Sequence, residues 1–375
     1  VRDQTAISTR EQDPQFKKDR QAVEIRFDHQ THRQRVIFGT GCVVDNTAKA
    51  IEQLDVRASL LIASDSASEV ADAIAMETPV ARRIDGVVQH VPTQRADAAR
   101  REAVASSADS IICVGGGSAT GLAKAVALVT GLPIVAIPTT FSGSEATDMW
   151  GMTVEGRKHT GADLAVLPRT VIYDAALLAG LPVSVAISSV FNAIAHAVDG
   201  LWAPRADPIN RALAAESLRV LIPAITEMAE QPNSREPRES ALYGAYLAAV
   251  AFASSGSGMH HKICHVLGGA FLLPHAELHT VMLPYVTAFN AHAAPSAAQL
   301  ISETLHTTSA AAGLKSLAAT TGAPLTLAEI GFPKDKIVEA SGRCLEVIPP
   351  SNPRPVDLEA VSSLLQAAYE GDAVE

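Results

Sequence analysis

Ile111-Ile112-Cys113-Val114-Gly115-Gly116-Gly117-Ser118 is the stretch whose reading decides the fold. Four consecutive apolar residues describe a strand buried on both faces, and the glycines then turn the chain into a helix predicted over 120–130. Successive glycines let the backbone pass close to an anion, and the free amides of the following helix attract negative charge. That combination suits a pyrophosphate. The spacing is not G-x-G-x-x-G, so a plain structural turn remains the competing reading.

Working outward, the same texture repeats on both sides. Apolar runs at 59–63, 87–91 and 133–138 read as strands, and 46–54, 68–75 and 95–107 as helices between them. Residues 24–38 read as a strand or hairpin ending at the Gly39-Thr40-Gly41 turn. Short apolar strands alternating with helices describe a parallel sheet covered on both faces. After residue 175 no strand is expected. Helical spacing runs through 185–202, 207–230, 237–254, 258–268, 275–294, 298–321, 334–346 and 356–370. The chain therefore divides into a flexible extension (1–22), an α/β domain (23–182) and an all-helical domain (183–375), with the active site in the cleft between the last two.

Composition narrows the function. A 375-residue chain with 47% hydrophobic and 19% charged residues is globular and long enough for two cores. A net charge of −10 with no Lys/Arg cluster excludes nucleic acid as the main partner. No apolar run reaches the roughly 20 residues of a membrane span, and the polar start lacks a secretory core. Cys42, Cys113, Cys264 and Cys344 are widely spaced, as in buried thiols of a reducing compartment, so a cytoplasmic location is expected.

Two further stretches carry chemistry. Pro138-Thr139-Thr140-Phe141-Ser142-Gly143-Ser144-Glu145 follows a strand, and hydroxyls at Thr139, Thr140, Ser142 and Ser144 can bind phosphate, ribose or a carboxamide, or merely cap a helix. Asp65 ends an earlier strand, where a carboxylate could hold a ribose diol and disfavour a 2′-phosphate. In Ser257–Pro284 five of the twelve histidines, His260, His261, His265, His275 and His279, fall within twenty residues. His261/His265 and His275/His279 sit at i,i+4, a spacing that points two imidazoles at one metal or one substrate. Asn192 and His196 repeat the spacing earlier in the chain. Histidines satisfied within a helical core are the bland alternative.

Together these motifs resemble the iron-containing (group III) alcohol dehydrogenase family, which shares its fold with the dehydroquinate synthases. The matches are G-G-G-S at 115–118, P-T-T-x-x-G-S-E at 138–145, N-A-I-A-H at 192–196 and H-x-x-x-H-x-L-G at 261–268, in family order. The resemblance implies an N-terminal dinucleotide-binding domain holding the cofactor through Gly115, Gly116, Gly117, Ser118 and the hydroxyl loop. It also implies a C-terminal helical domain, a metal site in the cleft and a homodimer. The family's metal ligands map onto Asn192, His196, His261 and His275, but an Asp normally stands where this chain has Asn192. Losing the one anionic ligand leaves a degenerate site.

A branch of the family, the maleylacetate reductases, is closer still. The chain resembles it in A-L-Y-G-A-x-L at 241–247, H-H-K-x-C-H-x-L-G-G at 260–269 and L-P-H-A-x-x-H-T-V at 273–281. The branch implies NADH-dependent reduction of a conjugated keto-dicarboxylate, with NADPH as the alternative reductant and no metal required. His261 and His265 are then the first candidates for proton donor and enolate stabiliser. His196 and His275 line the same cleft, and Lys262 is the candidate cation for a substrate carboxylate. A metal-dependent dehydrogenase of small alcohols or aldehydes is the alternative activity. A dinucleotide-binding protein without turnover is the non-enzymatic one.

Overall fold

The run at 111–114 forms the centre of a six-stranded parallel sheet in this computed structural model, which describes residues 26–88, 91–154 and 157–375. The extension predicted at 1–22 lies outside the described residues. The strands are β1 (Arg35–Phe38), β2 (Ser59–Ala63), β3 (Val80–Ile84), β4 (Ser110–Gly115), β5 (Ile134–Pro138), β6 (Met149–Val154), β7 (Arg157–Ala162) and β8 (Thr170–Tyr173). Helices α1 (Val43–Leu54), α2 (Ser68–Glu77), α3 (Thr93–Ala105) and α4 (Gly117–Thr130) belong to the same half. The second half holds α5 (Val183–Trp202), α6 (Pro208–Glu230), α7 (Glu236–Ser255), α8 (Met259–Phe271), α9 (His275–Ala291), α10 (Pro295–Thr304), α11 (Ala310–Thr320), α12 (Ile337–Leu345) and α13 (Leu358–Glu370).

The sheet order is β1-β8-β5-β4-β2-β3, and every neighbouring pair is parallel. Because side chains alternate across a strand, each buried run feeds two cores. Leu60, Ile62, Ile111, Cys113, Ile134 and Ala136 pack on one face with residues of α3 and α4. Leu61, Ala63, Ile112, Val114, Val135 and Ile137 pack on the other with residues of α1 and α2. All of these strand residues are at most 1% exposed, which is why the runs show no polar alternation.

Several expectations need correction. The third strand is β3 at Val80–Ile84, not 87–91, of which residues 89 and 90 lie outside the described set. Its sequence V-A-R-R-I hides it, since an edge strand can leave Arg82 exposed and paired with Glu102. The strand expected over 24–38 shrinks to Arg35–Phe38 because β8, its one partner, has only four residues. The antiparallel hairpin β6–β7 and β8 itself carry too little pattern to announce themselves. The single helix expected over 298–321 is two, α10 and α11. They are separated by a turn in which His306 adopts φ 54° and Ser309 caps α11 by accepting from the Ala312 amide.

In the helical half, α5 is buried almost throughout and packs against α6, α7 and α9. By length and composition it would span a membrane, but 83% of its apolar window is covered by protein. One core gathers α5, α6, α7, α10 and α11, and a second gathers α8, α9, α12 and α13.

The loop after β5 is pinned by a buried cation. Lys124 of α4 is 1% exposed, and its Nζ donates to Ser144 O (2.6 Å), Thr147 O (2.7 Å), Thr147 Oγ1 (3.0 Å) and Met149 O (2.7 Å). Burial pulls the Lys124 ammonium down to about 7, while the neighbouring Glu145 carboxylate pulls it back up. Four oxygen acceptors favour the charged form. We expect Lys124→Met, which strands those acceptors, to cost on the order of 3–5 kcal/mol. That corresponds to a melting temperature lowered by about 4–6 °C with the helix content unchanged by circular dichroism.

Candidate active site

The cleft between the two halves has a volume of about 820 Å³. On the sheet side it is lined by Gly116, Gly117, Ser118, Thr139, Thr140, Ser142 and Ser144. These residues meet because the turn after β4 and the loop after β5 are neighbours at the carboxyl ends of adjacent strands, tied by Thr139 N donating to Gly115 O at 3.0 Å. The glycines are required sterically. Gly115 has φ 150°, and a Cβ there would lie 2.8 Å from Ala119 Cβ and 2.9 Å from Ser64 Oγ. A Cβ at Gly116 would lie 2.9 Å from Thr140 Cγ2. Gly115 itself is absent from the cleft wall; it supports the turn from behind.

The cradle fits a dinucleotide. The α4 N-terminus opens at Gly116–Gly117, both of which line the cleft, and the first amides of a helix have no partner within it. Thr140 Oγ1 and Ser142 Oγ are buried with no hydrogen-bond partner among the described residues, although both residues line the cavity. Asp65 is not part of this wall. It opens a one-turn 3-10 helix, is exposed, and its Oδ1 accepts from the Gly86 amide at 3.2 Å, so Ser64 and Ser66 stand at the cleft in its place.

On the helical side the cleft is lined by Asn192, His196, Phe252, His261, His265 and His275. The structure thus brings four of the five catalytic candidates together. Lys262 is the exception. It lines a separate hollow with Arg205 and Ser257, since one residue along a helix turns the side chain by about 100° away from His261.

The imidazoles form a continuous cluster. His196 and His261 are stacked, with centroids 4.7 Å apart and planes 8° from parallel. Phe252 lies 4.6 Å from the first ring and 4.3 Å from the second. His265 and His275 face each other at 6.1 Å. Behind them His279 touches His261 at 4.6 Å and His275 at 4.5 Å, and its Nδ1 shares a 2.8 Å hydrogen bond with His260 Nε2. Burial pulls the His196 and His260 imidazoles down to about 4 and His279 well below the usual range, so all three are neutral near pH 7.

Asp199 completes the site, and sequence reasoning missed it. It lies seven residues after Asn192 and three after His196, so the three form one stripe along α5. That spacing was the available signal. Asp199 is fully buried, and its Oδ2 accepts from His261 Nδ1 (2.7 Å), Gly258 N (3.1 Å) and His261 N (3.3 Å). Burial pushes its carboxyl up, against the opposing pull of His260 and the two amides.

A family metal does not fit the residues present. Asn192 supplies at most a neutral carbonyl oxygen. Lone pairs of the stacked His196 and His261 rings lie in nearly parallel planes and do not converge on one ion. Among the described residues, the histidine nitrogens grouped within 4.8 Å belong to His260, His261 and His279. Two of those already share a hydrogen bond.

Comparison with known proteins agrees with this geometry. Residues 33–175 match the model for iron-containing alcohol dehydrogenase, and 186–369 match that for the C-terminal part of the Fe-containing alcohol dehydrogenase family. Maleylacetate reductase from Burkholderia cepacia is 42% identical over 341 residues, covering 90% of this chain and 96% of its own. An iron-containing alcohol dehydrogenase from Corynebacterium glutamicum superposes with a TM-score of 0.90 at 48% identity, covering 93% of this chain and 98% of its own. Maleylacetate reductase from Agrobacterium tumefaciens gives 0.88 at 36% identity, covering 92% and 99%.

Two outcomes follow from the site. His196, His260 and His279 have folded pKa values below the unfolded histidine value of about 6.5. Between about pH 6.5 and 4 the unfolded chain therefore binds more protons, and stability present above that window is lost as pH falls through it. Thermal melts should drop by more than about 5 °C between pH 7 and 5; a flat profile would contradict neutral burial of these rings. Asn192→Asp restores an anionic oxygen, so metal analysis after dialysis against Zn²⁺ or Fe²⁺ should show the variant retaining more ion than the wild type.

Proposed function

The chain belongs to the iron-containing alcohol dehydrogenase family, and we propose that within it the protein is an NAD(P)H-dependent oxidoreductase that reduces maleylacetate to 3-oxoadipate. The observation that carries this reading is the cleft itself: a dinucleotide cradle facing a cluster of imidazoles, with a neutral Asn192 in place of a carboxylate ligand. The likeness to maleylacetate reductases over nine-tenths of the chain supports the same substrate.

The chemistry asks little of a metal. In maleylacetate the C=C bond is conjugated to a ketone. The bound dihydronicotinamide supplies a hydride to the alkene carbon β to that ketone. Charge then collects on the ketone oxygen as an enolate, and the α carbon takes a proton. The protein must hold the alkene over the cofactor, stabilise the enolate and deliver one proton. Gly116, Gly117 and the hydroxyls of Thr139, Thr140, Ser142 and Ser144 would hold the cofactor, across the cleft from the helical wall. His261 and His265 are the groups for the enolate oxygen and the proton. His196, held neutral, stacks on His261 and keeps its ring in place.

Substrate carboxylates meet a different set of partners from the one expected. Lys262 opens elsewhere, and the Lys124 ammonium is occupied by four oxygens. The carboxylates are received instead by the Asn192 amide, the His275 imidazole and the first turn of α9, which lines the cleft at Pro274–Glu277. NADH is the assigned reductant, with NADPH as its competitor; the Asp65 carboxylate, which would disfavour a 2′-phosphate, accepts from the Gly86 amide beside the cleft wall and does not line it.

The deciding experiment follows NADH and NADPH oxidation with maleylacetate beside a panel of simple aldehydes, with and without EDTA. We expect turnover on maleylacetate that survives the chelator. Activity confined to aldehydes, or lost to EDTA and restored by Zn²⁺ or Fe²⁺, would establish the metal-dependent dehydrogenase instead. His261→Ala and His265→Ala should each lower kcat by roughly 10²–10⁴-fold. Two variants with wild-type kcat would refute their roles.

A further inference from the structure

The buried carboxylate on α5 distinguishes one histidine from the rest. We propose that Asp199 is the positioning residue of His261, and that the pair makes His261 the proton donor in the reduction. The chemical step rests on the functional reading above, but the pairing does not.

Three observations converge. First, Asp199 Oδ2 lies 2.7 Å from His261 Nδ1, and a carboxylate only accepts, so Nδ1 carries a hydrogen. That fixes the tautomer and leaves Nε2, a buried atom of a residue that lines the cleft, as the ring nitrogen able to carry the transferable proton. Second, the ring plane is clamped by Phe252 at 4.3 Å and His196 at 4.7 Å. Position and tautomer are thus set by separate contacts. Third, the carboxylate is built in at a cost. It is 0% exposed, and a Cβ at Gly258 would lie 2.5 Å from Asp199 Oδ1 and 2.8 Å from Cγ, so the start of α8 tolerates only glycine beside it. An asparagine would occupy the same space without burying a charge. A buried anion beside a ring that must become positive has an electrostatic use that an amide lacks.

Its neighbours make the assignment more specific. His196 stacks in the same cluster, and His260 and His279 share a hydrogen bond with each other. His261 touches all three rings yet is bonded to the acid. The proton balance is simple. The imidazolium gives its Nε2 proton to the α carbon as the enolate electrons form the new C–H bond. His261 returns to neutral with Nδ1–H still on Asp199, the carboxylate never changes charge, and solvent at the cleft mouth restores the proton. The pattern is the carboxylate–histidine orientation seen in hydrolytic triads, used here to hold an acid instead of a base.

The test uses purified full-length Asp199→Asn, Asp199→Glu and Asp199→Ala with NADH and maleylacetate. Asp199→Asn should lower kcat by 100-fold or more, keep KM for NADH within about threefold, and enlarge the solvent deuterium isotope effect on kcat as proton delivery becomes limiting. Asp199→Glu, which keeps the charge, should recover at least tenfold over Asp199→Asn. If Asp199→Ala does not fold, the Asn/Glu pair decides. A kcat for Asp199→Asn within threefold of wild type, or a loss shared equally by KM for NADH with no change in isotope effect, would overturn the proposal. Should wild type fail to reduce maleylacetate, the substrate reading falls. The same comparison is then made on the carbonyl compound the panel identifies, where the kcat of Asp199→Asn again decides.

Discussion

One buried carboxylate ties the two parts of the helical domain together. Asp199 belongs to α5, a helix buried over nearly all of its length, and it accepts from the first amides of α8 as well as from the His261 ring. Helix α8 has no side-chain cap of its own, so this acid from another element meets amides that would otherwise be stranded at its start. A negative charge at a helix N-terminus is favourable, and here it also sets where the histidine stretch begins. From that anchor His261 and His265 are carried to the cleft, and His275 and His279 of α9 close around them.

The sheet half has a comparable buried ion of the opposite sign. Lys124 gathers the backbone oxygens of Ser144, Thr147 and Met149 and so presses the hydroxyl loop against the glycine turn. The Phe141 amide donating to Ser189 Oγ at 2.9 Å then links this loop to α5. Cofactor cradle and imidazole cluster are therefore positioned through the same helix. Both ions are buried, and both owe their tolerance to several hydrogen bonds.

The neutral amide of Asn192 has consequences beyond one residue. Asn192 brings no charge to this wall of the cleft, and the His196 and His261 rings stack flat on the same side. Burial then keeps the deeper rings uncharged. The imidazoles thus form a graded set of bases, of which the one beside Asp199 is equipped to hold a proton.

Much of this was determined by sequence alone. Runs such as 59–63, 111–114 and 133–138 could only be parallel strands buried on both faces, because burial on both sides removes polar alternation. The glycine turn, the hydroxyl loop and the i,i+4 histidines named the cleft and most of its lining. Local pattern could not find β3, whose two arginines suit an edge, or the weakly patterned β6–β7 hairpin. It also could not orient single side chains. Asp65 turned to a backbone amide, Lys262 turned away by one helical step, and Asp199, which looked like any helix residue, became the acid behind His261. Those outcomes depend on contacts between residues 21 to 62 positions apart, or on which way a helix faces when packed. Periodicity fixes what a residue's neighbours along the chain are, whereas only the packed structure decides which charge it meets.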